Sequence, residues 1–191
     1  KRIYSFPANF PETDWIYYSS LSEGYETLQE NLLEFLGKHK ITRLAYNPGS
    51  IQLKNLELVK EVLLHTDILI VNLEEAEKIL DTTLNKAKSV RALINGLLGL
   101  GTKEVVITNS NEGAWGGNKE DVWHTDSFPV EVVSKTGAGD AFSAGYLAAR
   151  FYKHDISVAL TWGIANSCAA ISSLGPEKNL LNKKEITKMI S

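Results

Sequence analysis

The stretch Thr136-Gly137-Ala138-Gly139-Asp140-Ala141-Phe142 sets two glycines and one carboxylate at the head of a long run of small and apolar residues. That combination suits an anion. Glycines let backbone N–H groups come close to an oxyanion, and a helix starting here would turn the positive end of its dipole to the same spot. Asp140 then stands where the anion would react. A plainer duty fits the same residue, because Asp is common at helix starts as a cap or as a charge that complements the dipole. Sequence chemistry alone leaves both readings open.

Asn72 and Glu75 pose a similar choice. Their spacing puts both on one face of a helix's first turn. They could offer oxygen atoms to a hard cation that keeps its waters, or Asn72 could cap a helix whose Glu74, Glu75 and Glu77 are surface charge. His124 and His154 have no partner at metal-ligand spacing and read as surface or loop residues. Cys168, the only cysteine, excludes an intramolecular disulfide and reads as a small buried thiol within the apolar stretch from Ala165 to Ile171. No Gly-x-x-x-x-Gly-Lys-Ser/Thr pattern occurs, which excludes a P-loop. No Gly-x-Gly-x-x-Gly follows the first strand, which leaves a dinucleotide-binding oxidoreductase without support.

The elements that must position these residues alternate. Trp15 to Tyr18 reads as a strand, and a helix follows through Tyr25, Leu28, Leu32, Leu33, Phe35 and Leu36. Strands are expected at Ile41 to Tyr46, Asp67 to Val71 and Glu104 to Thr108, separated by helices at Leu56 to Leu64, Leu73 to Leu80 and Lys86 to Leu98. Such alternation predicts a mainly parallel sheet covered on both faces, with ligands beyond the carboxyl ends of its strands. Asn47, Asn72 and Thr108 follow such ends. Beyond Thr108 the pattern changes to a hairpin, with Gly113 to Gly117 pairing with Asp121 to His124 through a Gly116-Gly117-Asn118 turn and with Trp115 packing on Trp123. An apolar approach at Val130 to Val133 leads into the glycines. Helices at Gly139 to Tyr152, Ile156 to Ser172 and Lys184 to Ile190 finish the chain, and Gly145 with the alanines around it keeps the first of them slim.

A formal charge of −3 over 191 residues, with 43% hydrophobic and 23% charged residues, fits one globular α/β domain and gives no reason to expect nucleic acid as a partner. Lys38-His39-Lys40 and Lys183-Lys184 read as solvated helix ends. No apolar run is long enough to span a bilayer and no leader is visible, so the expectation is a cytoplasmic protein without a membrane partner.

Thr136 to Phe142 resembles the signature of the PfkB, or ribokinase-like, family of carbohydrate and nucleoside kinases, whose usual form is Asp-Thr-x-Gly-Ala-Gly-Asp-x-Phe. Asn72-Leu73-Glu74-Glu75 is similar to the family's Asn-x-x-Glu motif, Val105 to Gly113 to its strand and turn near the nucleotide, and Gly163 to Ala170 to its adenine-side helix. The resemblance implies a three-layer α/β/α fold and ATP-dependent phosphoryl transfer to a hydroxyl of a small sugar or nucleoside. It gives Asp140 the role of base and the Gly137, Ala138 and Gly139 N–H groups that of an anion hole. Thr108, Asn111, Gly113 and Asn166 fall to the nucleotide, while Asn72 and Glu75 fall to magnesium, acting through its waters.

The chain also departs from the family pattern. Ser110 stands where the usual Thr-x-Gly has glycine. Ser134-Lys135 replaces Asp-Thr, removing a carboxylate that in some members helps hold a monovalent cation. Lys135 either substitutes its ammonium for that cation or reaches solvent, so potassium dependence is expected to be weak. The match corresponds to roughly the C-terminal three-fifths of a typical member, with Lys1 to Pro11 as a remnant of its β-sheet lid and most acceptor-binding groups absent. A second reading follows, of a truncated, noncatalytic protein that retains nucleotide binding or self-associates through apolar surface left uncovered.

Overall fold

The computed structural model describes residues 4–7, 9–172 and 180–190. Six strands form a mixed sheet in sequential order β1-β2-β3-β4-β5-β6. The chain comprises two compact units, residues 1–106 and 107–191, with the division inside β4. No helix among the described residues is long and apolar enough to cross a membrane.

In the first unit, β1 (Trp15–Tyr18), β2 (Arg43–Tyr46) and β3 (Ile68–Asn72) run parallel, and β4 (Glu104–Thr108) ends the run of strands. The central strands are almost wholly apolar. Leu44, Tyr46, Leu69, Ile70, Val105 and Val106 are all at most 2% exposed, as befits parallel strands covered on both faces. Between them lie α1 (Glu26–Lys38), α2 (Leu56–Leu63), α3 (Leu73–Ile79), α4 (Leu84–Ala87) and α5 (Val90–Gly99). Caps fix their starts: Asn55, Thr83 and Ser89 each accept a hydrogen bond from the backbone N–H three residues on, which satisfies a donor the helix itself cannot. The single helix expected over Lys86 to Leu98 is therefore two. Lys88 takes a left-handed φ of 67° that closes α4, and Ser89 opens α5.

One expected feature in this unit shifts. Ile41 is 70% exposed and lies outside β2, because the strand begins where Arg43 N–H reaches the Asp14 carbonyl. Of the expected lid remnant, residues 1–3 and 8 lie outside the described residues. In the remainder the Tyr4 hydroxyl lies 2.7 Å from that of Ser22, before α1, and the Phe6 and Phe10 rings sit 5.5 and 5.3 Å from Phe35 on α1.

The second unit contains an antiparallel hairpin of β5 (Ala114–Gly117) and β6 (Val122–Thr125), then α6 (Ala138–Phe151), α7 (Ile156–Ile171) and α8 (Lys183–Ile190). Its turn is residues 118–121 rather than the glycines, because the Asn118 side chain accepts hydrogen bonds from the N–H groups of Glu120 and Asp121. The resulting register pairs Trp115 with His124 and Gly116 with Trp123. Side chains alternate along a strand, so Trp115 and Trp123 fall on opposite faces and do not pack together. The approach to α6 is likewise not a buried strand. Val132 and Val133 are each 47% exposed, and the N–H groups of Val133 and Ser134 donate to the Ile171 carbonyl at the end of α7.

Helices α6 and α7 pack closely because glycine permits it. A methyl group on Gly145 would stand 2.6 Å from the Trp162 carbonyl oxygen, and one on Gly163 2.7 Å from the Phe142 ring. Both distances are below contact, so the small residues set the separation of the pair. Cys168, 2% exposed, faces the Ser127 hydroxyl and the Phe128 carbonyl at 3.8 Å each.

Candidate active site

The glycine turn forms as the residue types require. Gly137 occupies the N-cap of α6 with φ of 83°, a left-handed conformation that an L side chain enters at a cost of roughly 1–2 kcal/mol. Ala138, Gly139 and Asp140 are then the first three helical residues. The N–H of Ala138 turns back to the Lys135 carbonyl at 3.3 Å, and that of Ala141 bonds the Gly137 carbonyl at 2.9 Å. The N–H groups of Gly139 and Asp140 fall in the first turn, where helix geometry supplies no partner. Nothing lies within 4 Å of a methyl placed on Gly139. The backbone here is open to a ligand.

Asp140 is exposed, and α6 has no side-chain cap hydrogen bond. Among the described residues its carboxylate has no hydrogen-bond or ion-pair partner. The capping duty is thus carried by Gly137, and the carboxylate stands free at a positive helix end.

Asn166 lies at the same helix start. It is 4% exposed; its amide donates to the Ala141 carbonyl at 2.7 Å and accepts from the Leu181 N–H at 2.8 Å. One side chain of α7 therefore ties the first turn of α6 to the segment before α8. Its neighbours in sequence gave no sign of this, since the two partners lie 25 and 15 residues away.

Thr108 ends β4, and the loop after it is tightly turned. The Asn109 N–H donates to the Gly113 carbonyl at 2.9 Å, and the Asn109 amide to Glu112 at 2.7 Å. Ser110 takes φ of 40° and Gly113 φ of 85°. A side chain on Gly113 would collide with the Thr125 carbonyl at the end of β6, so glycine is obligatory there. Asn111 is exposed at the loop's tip. His124 is exposed on β6, where its ring stacks on Trp115 at 4.2 Å and its Nε2 lies 2.8 Å from the Glu112 carbonyl oxygen. His154 lies against Trp162, with ring centroids 5.2 Å apart.

In the first unit, β3 leads directly into α3, where Asn72 and Glu75 form a reciprocal capping box. The Asn72 side chain accepts from the Glu75 N–H at 2.9 Å, and Glu75 Oε2 accepts from the Asn72 N–H at 2.8 Å. Burial pushes the Glu75 carboxyl above its ordinary range, opposed by the Asn72 N–H. Only one carboxylate oxygen serves the box, which leaves Oε1 as a hard donor. No group of three or more His, Cys, Asp or Glu that could hold a metal occurs among the described residues. This donor set fits a magnesium ion that keeps most of its waters and its ligand's phosphates, and does not fit a metal enclosed by protein. Asn47 ends the adjacent strand β2, its amide donating to the Ile70 carbonyl at 2.6 Å.

A sheet of alternating β and α elements, with a glycine-led helix start after it, defines the class, an α/β protein. The pfkB family carbohydrate kinase profile matches residues 9–183, and the chain belongs to that family. It is 31% identical over 121 residues to an ATP-dependent 6-phosphofructokinase of Thermoanaerobacterium thermosaccharolyticum, covering 62% of this chain and 35% of the relative. A ribokinase of Arabidopsis thaliana, solved with ribose and ATP, superposes with a TM-score of 0.78 at 17% identity over 93% of this chain and 56% of that one. A chain from Escherichia coli solved with ATP and magnesium gives 0.80 at 24% identity over 93% and 58%. The fold is thereby ribokinase-like, a three-layer α/β arrangement. The chain spans about a third of the curated relative and somewhat over half of each solved chain.

Proposed function

We propose that this chain carries the phosphoryl-transfer machinery of an ATP-dependent kinase whose acceptor is a hydroxyl of a small sugar or nucleoside. The free, exposed carboxylate of Asp140 at the unobstructed start of α6 carries the reading. In the reaction the acceptor oxygen forms a bond to the γ-phosphorus as the bond to ADP breaks, and the hydroxyl proton passes to Asp140. A carboxylate beside a helix N-terminus is a weak base. It need only accept the proton late, as charge leaves a loose transition state.

The Gly137 to Gly139 backbone stabilises charge on the transferring oxygens. Within that set the N–H of Gly139 is the best placed donor, since that of Ala138 already points to Lys135. Thr108, Asn111 and Gly113 serve the nucleotide side, and Asn166 serves it by fixing the first turn of α6. Magnesium, when bound, supplies positive charge that screens the triphosphate; Asn72 and Glu75 would hold it through water. Lys135, exposed beside the glycine turn, supplies a fixed positive charge there and makes a monovalent cation dispensable.

The test is Asp140→Asn in the full-length protein, assayed for ATP-dependent phosphorylation of a panel of sugars and nucleosides. Turnover should fall by at least 100-fold while ATP binding, measured by calorimetry, persists. Equal turnover in the variant and the parent would remove Asp140 from the chemistry.

A further inference from the structure

We propose that His124 is a positioning residue for the nucleotide, acting through the loop from Asn109 to Gly113; this rests on the kinase reading above. Two contacts from β6 reach that loop, and one more, to β5, orients the imidazole. First, the Glu112 carbonyl can only accept, so the 2.8 Å contact with His124 Nε2 requires a proton on that nitrogen, which fixes the tautomer of the neutral ring. Second, the imidazole stacks on Trp115 at 4.2 Å with an interplanar angle of 23°, and the hairpin register sets these two residues directly opposite each other. Third, Gly113 lies so close to the Thr125 carbonyl that no side chain fits between them.

The loop needs such support. Its Ser110 holds a left-handed φ that serine disfavours, and its internal bonds, Asn109 N–H to Gly113 and Glu112 N–H to Asn109, close a small ring. His124 joins that ring to the sheet. Trp115 stacks on the imidazole face while Nε2 donates to the Glu112 carbonyl, so the ring is held on its face and at one nitrogen; the Asp126 carboxylate, 3.9 Å from Nδ1, lies beyond hydrogen-bond range. Loss of the Nε2 bond frees the loop that presents Thr108, Asn111 and Gly113 and leaves the start of α6 untouched. The effect therefore belongs to nucleotide affinity more than to the acceptor.

The experiment compares His124→Phe, which keeps the stack and removes the bond, with His124→Gln, which restores an amide donor without the ring. Asp140→Asn is made beside them, all in the full-length protein. The expected result for His124→Phe is a KM for ATP and a calorimetric Kd for ATP raised roughly three- to tenfold, the size of one neutral hydrogen bond. The KM for the acceptor should stay within twofold, and His124→Gln should recover part of the ATP affinity. An ATP Kd within twofold of the parent in both His124 variants overturns the assignment, as does an equal loss of acceptor and ATP affinity. If Asp140→Asn abolishes turnover while the His124 variants bind ATP normally, only this inference falls. If the parent protein binds no ATP, the kinase reading falls with it.

Discussion

Two glycines six residues apart in α6 should respond to the same substitution with opposite signs. Gly139→Ala adds a methyl where nothing stands within 4 Å. It also removes the excess chain entropy of glycine in the unfolded state, worth about 0.5–1 kcal/mol in a helix. For a chain of 191 residues that corresponds to a rise in Tm of about 1–4 °C. Gly145→Ala gains the same entropy, but its methyl would lie 2.6 Å from the Trp162 carbonyl and 3.0 Å from Asn166 Cβ. Backbone on a packed helix cannot swing aside as a flexible side chain does, so α6 and α7 must separate. Overpacking of this kind costs about 1–3 kcal/mol, leaving a net loss of up to about 2.5 kcal/mol once the entropy gain of about 0.5–1 kcal/mol is subtracted.

Urea unfolding followed by tryptophan fluorescence reads both signs. Activity should run the other way for Gly139→Ala. On the proposed kinase reading its methyl enters the space an incoming phosphate would use, and a displaced oxyanion donor costs about 10²–10³ in kcat. A stabilised Gly139→Ala protein that phosphorylates its acceptor at the parent rate would refute the anion-cradle reasoning. A Gly139→Ala protein less stable than the parent would refute the geometry on which it rests.

Removal of the Asp155 cap should be costly only when its carboxylate is charged. The Val158 N–H and then the Ser157 hydroxyl hold this carboxyl below its ordinary value of 3.8. Its contribution is therefore present above that value and lost as the pH falls through the lower folded one. Asp155→Ala should lose about 1 kcal/mol near pH 7, with the gap to the parent narrowing below about pH 3.8; a gap that stays constant in urea melts across that range would count against it. Ser110→Gly should relieve the left-handed φ of 40° and stabilise by about 0.5 kcal/mol after the entropy of glycine is subtracted. A thermal melt showing the variant clearly less stable would mean that the serine side chain contributes contacts that outweigh its strain.

Much of the fold was legible because local signals agree with burial. Val105 to Ile107 is an apolar run at the centre of the strand Glu104–Thr108; Trp15 to Tyr18 fits its expected bounds. Where local signals compete, the sequence misleads. Lys86 to Leu98 keeps a helical period throughout, yet Ser89 offers a cap and Lys88 accepts the left-handed turn before it, so one helix becomes two. The hairpin shows the same competition. Glycine pairs suggest the turn at Gly116-Gly117, but the Asn118 amide can satisfy two N–H groups at once, and that shifts every cross-strand partner. Trp115 then meets His124. The candidate site was legible as a motif and not as an arrangement: the tie from Asn166 to Ala141 depends on how closely two helices pack, which two glycines decide together.

Structural and chemical duties need not exclude each other in one residue. Glu75 illustrates why. The capping box uses Oε2 and the backbone N–H of Asn72, while a water-mediated cation would use the other oxygen, so a plain helix start and a metal-binding motif require the same two residues at the same spacing. The box moreover locks the Glu75 rotamer, which a distant carboxylate on a free helix face would lack. Its raised pKa gives the sign of the coupling. Ionisation of Glu75 costs the folded protein stability as the pH rises through that raised value, whereas a bound cation favours the ionised form and would draw the pKa back down. At the head of α6 the division is made differently, because Gly137 takes the capping position and Asp140 has no side-chain bond among the described residues. A carboxylate in the first turn that caps nothing is available for chemistry in a way that a capping one is not.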